Sequence, residues 1–274
     1  MGGDVLSRLV LSCTLSCTLL CAAGAGVAEP RSGCQHLRVA FYEDGALFYH
    51  APGGGWTGID KDVVDEVARR LGCTIDASVD SRVRIWAGLG GGNIDMSVSA
   101  IPLPEREKIG RFVPYMTGRN FVLLHKELSG RLRSMDSFLA HPQYKIGVVK
   151  SYKHGPAYDD WLDKLRVQGR VFETADKLSM MRLFKLGRVD AVMATPTTWY
   201  PLVKQEQLAG TYSVMDWAPR ENMVSGLVLS RQNVDAATVA RFSQAIRAMR
   251  EDGTLRRIFE RHTDAERAAQ MINF

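Results

Sequence analysis

Thr57-Gly58-Ile59-Asp60-Lys61-Asp62-Val63-Val64-Asp65-Glu66-Val67-Ala68-Arg69-Arg70-Leu71-Gly72 decides the fold. Val63, Val64, Val67, Ala68 and Leu71 recur at helical spacing, and Gly72 supplies a stop. On either side stand strand-like runs, Leu37-Arg38-Val39-Ala40-Phe41-Tyr42 before it and Cys73-Thr74-Ile75-Asp76-Ala77-Ser78-Val79 after it. A strand, a helix and a second strand in that order predict a parallel pair with a crossover helix.

The alternation continues outward. Trp86 and Leu89 mark a short helix ended by Gly90-Gly91-Gly92, and strands are expected at 95–101, 121–126, 144–149, 171–174, 191–195, 212–217 and 224–230. Helices are expected on Tyr158, Trp161, Leu162 and Leu165, on Leu178, Met181 and Phe184, and from Thr197. Two more close the chain, one with Val239, Phe242, Ile246 and Met249, the other from Leu255 to His262. The class is α/β with mostly parallel sheets, in which ligands sit beyond the carboxyl ends of the strands.

Composition sets the outer bounds. The chain has 274 residues, 46% hydrophobic and 24% charged, with 25 Gly and 5 Cys. That is enough apolar side chain for a core, and too little Gly or Cys for a collagen or a disulfide-dense scaffold. The net charge of +5 comes from 35 basic residues interleaved with 30 acidic ones, not a basic stripe, so no nucleic-acid partner is expected.

Residues 1–28 read as an export signal. Arg8 gives a basic start, Leu9 to Ala28 carries no charge, and the strongly apolar centre, Leu9 to Leu20, is short for a membrane span. Small residues from Ala22 to Ala28 then lead into Glu29-Pro30, which fits a cleaved secretory signal better than an uncleaved anchor. Cys13, Cys17 and Cys21 would leave with it. Cys34 and Cys73 remain, a candidate disulfide in an oxidising compartment, with two buried thiols as the alternative.

No enzyme or metal constellation stands out. Gly53-Gly54-Gly55 and Gly90-Gly91-Gly92 lack the spacing of a dinucleotide or phosphate loop, so no cofactor is expected. The six His, at 36, 50, 125, 141, 154 and 262, show no ligand spacing, so no metal is expected. Ser151 and Ser225-Gly226 lack the frame of a nucleophile elbow.

Several segments together resemble the bacterial extracellular solute-binding proteins of family 3, periplasmic receptors for polar amino acids and related solutes. They are Thr57 to Gly72; Gly92-Asn93-Ile94-Asp95 followed by Pro104-Glu105-Arg106 and Phe112-Val113-Pro114-Tyr115; Gly187-Arg188-Val189-Asp190-Ala191-Val192; and Glu251-Asp252-Gly253-Thr254-Leu255. The resemblance runs from about Leu37 to His262. It implies two α/β lobes, each a mostly parallel sheet flanked by helices, in a type II periplasmic-binding-protein fold. Residues 37–121 and 218–274 would form the first lobe and 122–217 the second, closing over a solute like a hinged clamp.

The resemblance also implies a site. Arg106 would fork the carboxylate of the ligand, a bidentate contact that Lys does not reproduce. Trp86 and Phe48 align with aromatic cleft positions, and Tyr42 and Ser99 belong to the same expected set. Lys150-Ser151 aligns with a turn whose amides receive the carboxylate. Three departures stand out. Ile101 and Leu103 replace hydroxyl residues, Tyr152-Lys153-His154 replaces a small turn, and Thr195 stands where an acid would hold the ligand's ammonium. An unpaired buried ammonium is costly, so the pocket is expected to take a carboxylate or other anion with an apolar or hydroxylated body. Lys150, Lys153 and His154 would add positive potential if they face the cleft.

The implied function is capture of a small solute and its delivery to an ABC transporter permease in the inner membrane, by a monomer. Two alternatives remain open: an enzyme resembling cyclohexadienyl dehydratase on the same fold, and a sensor that presents ligand without transport. Thr195-Pro196-Thr197 occupies the position expected for the enzyme's catalytic carboxylate, so no catalytic residue is assigned.

Overall fold

The structure, a computed structural model, describes residues 36–274. The expected signal peptide (1–28) and Cys34 lie outside the described residues, and so therefore does the Cys34–Cys73 pairing. The strands are β1 (His36–Phe41), β2 (Tyr49–His50), β3 (Trp56–Thr57), β4 (Thr74–Val79), β5 (Met96–Ala100) and β6 (Gly110–Gly118). They continue with β7 (Phe121–His125), β8 (Ile146–Val149), β9 (Val171–Thr174), β10 (Ala191–Ala194), β11 (Tyr212–Met215) and β12 (Met223–Ser230).

Two five-stranded sheets result, in the orders β4-β1-β5-β12-β6 and β11-β7-β10-β8-β9. β1 and β4 pair in parallel from His36↔Thr74 to Phe41↔Val79, with the helix Ile59–Leu71 between them in sequence. Val63, Val64, Val67 and Ala68 of that helix are buried, and Gly72 ends it in the left-handed conformation at φ 69°, donating its N–H to Ala68 O. One strand in each sheet runs against the rest. β12 is antiparallel to β5 and β6, and β7 is antiparallel to β10 and β11. Each reversed strand is the one that follows a passage of the chain from one sheet to the other.

Those passages lie side by side. Arg119-Asn120 links β6 to β7, and residues 216–222 link β11 to β12. Met223 pairs with Gly118, Thr117 Oγ1 donates to Met223 O at 3.2 Å, Asn120 Nδ2 donates to His154 O at 3.0 Å, and Arg119 forms an ion pair with Asp216.

Alternation along the second-sheet strands explains their burial. Val122, Leu124, Ala191 and Met193 pack with Phe138, Tyr158 and Trp161 on one face. Leu123, Val192 and Ala194 pack with Met180, Met181 and Phe184 on the other. Helices cover both faces, so these strands are apolar throughout. The first sheet buries Val39, Met96, Val98, Leu227 and Leu229 against Phe242, Ile246, Met249 and Phe259.

The structure adds several elements to the sequence reading, among them a strand, a ribbon and a helix. β6 is a nine-residue strand, and β2 and β3 form a short antiparallel ribbon. A third helix, Ala265–Met271, follows the two helices expected at the end of the chain, and its N-terminus is capped by Asp264 accepting from Arg267 N.

Candidate ligand cleft between the two sheets

The residues that follow the carboxyl ends of β1, β5, β8 and β10 meet one another. From the first sheet come Tyr42, Asp44, Gly45 and Ala46 after β1, Ile101 and Arg106 after β5, and Arg82 and Trp86 on the helix Arg82–Gly90. From the second come Ser151 and Tyr152 after β8, Lys177 at the start of the helix Lys177–Lys185 after β9, and Thr195, Thr197 and Thr198 after β10.

The approach is close. Ala46 N donates to Thr197 O at 2.8 Å, and Thr198 Oγ1 donates to the buried Asp44 carboxylate. Gly45 has φ +51°, and a Cβ there would stand 2.4 Å from Thr197 O. Only glycine meets both conditions.

Arg106 is buried on the short helix Pro104–Glu107. Its Nη2 donates to Ser151 O at 3.0 Å across the cleft, its Nη1 donates to Ile101 O at 3.4 Å, and its guanidinium lies 4.5 Å from the Trp86 ring centroid. Ser151 holds φ 63°, a left-handed conformation that costs a non-glycine residue energy. Burial, and next the neighbouring Arg82, push the Arg106 pKa down to about 10, so it stays charged at neutral pH. Among the described residues no carboxylate pairs with it.

Arg82 sits between the sheets, 4.3 Å from the Tyr42 ring and 5.1 Å from the Tyr152 ring. Lys177 Nζ lies 3.6 Å from the Tyr152 centroid, and burial brings its pKa down to about 8. Asp60 accepts from Ser99 Oγ at 2.8 Å and from Tyr115 Oη at 2.6 Å; burial raises its pKa to about 7 despite both bonds.

A cavity of about 520 Å³ opens beside this cluster. Of the expected ligand set, Ser99, Ile101 and Thr195 line it, with Tyr152, Met116 to Gly118 at the end of β6, Arg119 of the crossing, and Arg267 and Met271 of the last helix. Tyr42, Trp86, Arg106 and Ser151 cluster next to it. Thr195 Oγ1 is within 2.9 Å of Thr197 Oγ1 and 3.1 Å of Thr198 Oγ1.

Three expectations need correction. Phe48 stacks between Phe41 and Trp56 at 4.7 and 4.6 Å, so it belongs to the core and not to the cleft. Lys150 is exposed, and its backbone N–H extends the sheet to Thr174 O at 2.9 Å. His154 is buried, and desolvation pushes its pKa down to about 4, so it is neutral at pH 7 and adds no positive potential. Lys153 Nζ lies 4.0 Å from the Asp159 carboxylate.

The sequence reading missed Asp44, Arg82 and Lys177. A signal existed for two of them. Arg82 precedes Trp86 by one helical turn and so shares its face. Lys177 places a cation in the first turn of a helix, where the dipole disfavours it. Among the described residues no group of three or more His, Cys, Asp or Glu converges as a metal site, and no helix is long and apolar enough to cross a membrane.

Comparison with known proteins agrees with this architecture. A "Probable amino-acid ABC transporter-binding protein" from Haemophilus influenzae is 23% identical over 212 residues, 77% of each chain. The structure of EhuB in complex with hydroxyectoine superposes with a TM-score of 0.72 at 20% identity, covering 85% of this chain and 91% of that one. The ancestral amino acid-binding protein AncCDT-1, a precursor of cyclohexadienyl dehydratase, gives a TM-score of 0.69 at 21% identity, covering 82% and 94%. Both share the two-lobed fold. Residues 37–265 match the family profile directly, and with the paired sheets and the cleft between them this establishes that the chain belongs to the bacterial extracellular solute-binding proteins, family 3.

Proposed function

We propose that this protein captures a small carboxylate-bearing, amino-acid-like solute between lobe 1 (37–121 and 218–274) and lobe 2 (122–217), and delivers it to an ABC transporter permease. One observation carries the reading: Arg106 is a buried guanidinium whose partners are two backbone carbonyls and the Trp86 ring, with no carboxylate paired to it among the described residues. A buried cation in that state gains from an incoming anion, and its planar fork suits a carboxylate. Ser99, Ile101 and Thr195 provide a mixed hydroxyl and apolar wall for the body of the solute. Binding rather than catalysis agrees with the family's description as solute-binding proteins.

The test is calorimetry of the purified protein with a panel of amino acids and carboxylic acids. A ligand is expected to bind the wild type, and Arg106→Ala to abolish its heat; full binding by the variant would refute the anchor. Delivery is tested by deleting the gene and following cellular uptake of the solute found. Export of a monomer through a cleaved signal predicts a secreted chain beginning at Glu29, read by mass spectrometry. The proposed Cys34–Cys73 disulfide predicts no free thiol in that denatured, unreduced chain.

A further inference from the structure

The helix Ala265–Met271 begins where the family match ends. Residues 37–265 match the profile, so the helix and the tail after it, to Phe274, lie almost wholly beyond the matched stretch. The helix packs against β6 and the helix Thr254–His262, with Ala268 and Met271 buried beneath it. One of its side chains reaches the other side of the cleft. The Arg267 guanidinium lies 4.2 Å from the ring centroid of Tyr200, on the helix Pro196–Gln205 that follows β10. Arg267, Gln270, Met271 and, in the tail, Asn273 line the 520 Å³ cavity together with Thr195 and Thr197. The segment is therefore a wall of the cavity that touches both sides of the cleft.

This wall stands at a distance from Arg106. Arg106 follows β5, and Ile101, whose carbonyl accepts from it, lines the near part of the cavity. β12 lies between β5 and β6 in the sheet, so the helix against β6 is displaced by two strand spacings, about 10 Å. The chemistry at the two ends differs. Arg106 has no carboxylate partner among the described residues, whereas the charged side chains at the helix end neutralise one another. Arg119 pairs with Asp216, and Arg267 pairs with Asp264. The other polar side chains there are amides: Asn222, Gln270 and Asn273 are exposed and line the rim. An amide offers donors and an acceptor without charge, so it matches a neutral group that can both donate and accept. An apolar tail in the same place would strip water from these amides and return no hydrogen bond.

We propose that the segment 265–274 is the specificity wall of this site: Gln270 and Asn273 hydrogen-bond the end of the solute remote from Arg106, and that end is uncharged and polar, an amide or a run of hydroxyls. The inference rests on the reading of Arg106 as the carboxylate anchor. Arg267 is a positioning residue. Its contact with Tyr200 fixes the helix against the second side of the cleft, so both sides set where the two amides stand.

The experiment compares matched probes by calorimetry: gluconate against hexanoate, and L-glutamine against L-norleucine. Each pair keeps the carboxylate and changes the far end from polar to apolar, and the second pair carries an ammonium that the first lacks. The polar member of at least one pair is expected to bind about tenfold or more tightly than its partner, the factor expected for hydrogen bonds that an apolar end leaves unmade. The double variant Gln270→Leu, Asn273→Leu is expected to remove that preference with the melting temperature unchanged, because both residues are exposed. Arg267→Ala, which keeps both amides, is expected to lower the preference in part; a ratio equal to that of the wild type would overturn its positioning role. A merely structural role for the segment would shift the melting temperature and leave the preference intact. Equal affinity within both pairs, tighter binding of the apolar members, no response to any of the four probes, or a preference that survives the double variant overturns the specificity wall. If hexanoate and L-norleucine bind as well as their partners but lose binding with Arg106→Ala, the anchor stands and only the wall falls. If Arg106→Ala leaves every response intact while the double variant removes the preference, the anchor falls and the preference stays with the wall.

Discussion

The two sides of the cleft are built from different chemistry. The first-sheet side presents two guanidiniums held over aromatic rings, Arg106 over Trp86 and Arg82 over Tyr42. The second-sheet side presents the Ser151 carbonyl, the hydroxyls of Thr195, Thr197 and Thr198, and Lys177. Either side alone leaves buried donors unmatched. The first side supplies charge and a rigid fork, and the second supplies short polar groups on a backbone brought close by Gly45. On the proposed reading selectivity belongs to the two sides together, and substitutions on each should separate affinity from closure.

The largest effect is expected from Arg106→Ala, at least a hundredfold loss of affinity for the cognate solute by calorimetry, because removing one partner of a buried charge pair costs about 3–5 kcal/mol. Arg106→Lys should recover little of it, since an ammonium is a point charge and not a fork. Next comes Gly45→Val. Its side chain cannot enter the space beside Thr197 without moving the backbone. Small-angle scattering should find the variant's ligand-saturated radius of gyration larger than that of the wild type. An unchanged radius would mean that the Ala46–Thr197 contact does not define the closed state.

A smaller effect separates the two sides by pH. Asp60, beside Ser99, has a folded-state pKa raised to about 7, so its protonated form stabilises the fold and that contribution is lost as pH rises from about 4 to 7. His154, on the second-sheet side, is lowered to about 4, so its contribution is lost as pH falls from about 6.5 to 4. The two slopes oppose each other. In denaturant titrations across pH 4–7, Asp60→Asn should make stability rise more steeply with pH, and His154→Gln should make it fall. Parallel profiles for both variants and the wild type would contradict these assignments. The smallest effect is expected at the exposed Lys61–Asp65 pair on the helix Ile59–Leu71, where Asp65→Ala should change stability by less than about 0.5 kcal/mol.

Legibility in the sequence followed the physics of each element. The helix Ile59–Leu71 was readable because its buried residues repeat at helical spacing and Gly72 closes it. β6 was not, because Gly110, Pro114 and Gly118 read as breakers. The strand tolerates Pro114 because it lies at the edge of its sheet, and its pairing with β12 shifts register between Ser225 and Gly226, the residue opposite Pro114. The helix Ala265–Met271 escaped notice because only Ala268 and Met271 are buried, too few to form a periodic apolar stripe.

The site divides along the same line. Arg106 was legible through a local motif that the family shares, and Ile101 and Thr195 through departures from that family's pattern; Ser99, Ile101 and Thr195 line the cavity. Phe48 carried the same aromatic signal yet went to the core, since Phe41 and Trp56 stack on it. Thr195 stands where an acid was expected, while the carboxylate of Asp44, in the segment after β1, accepts from Thr198 Oγ1 beside it.

The sequence by itself determined the alternation of strands and helices and the family, and it singled out Arg106 as the proposed anchor, because each is written in spacing over a few residues. Only the tertiary structure decided that Arg82, Arg106 and Lys177 share one cleft, with Asp44 beside them. These residues stand on segments separated by whole strands and helices, and their charges become costly, and so informative, only when folding removes them together from water.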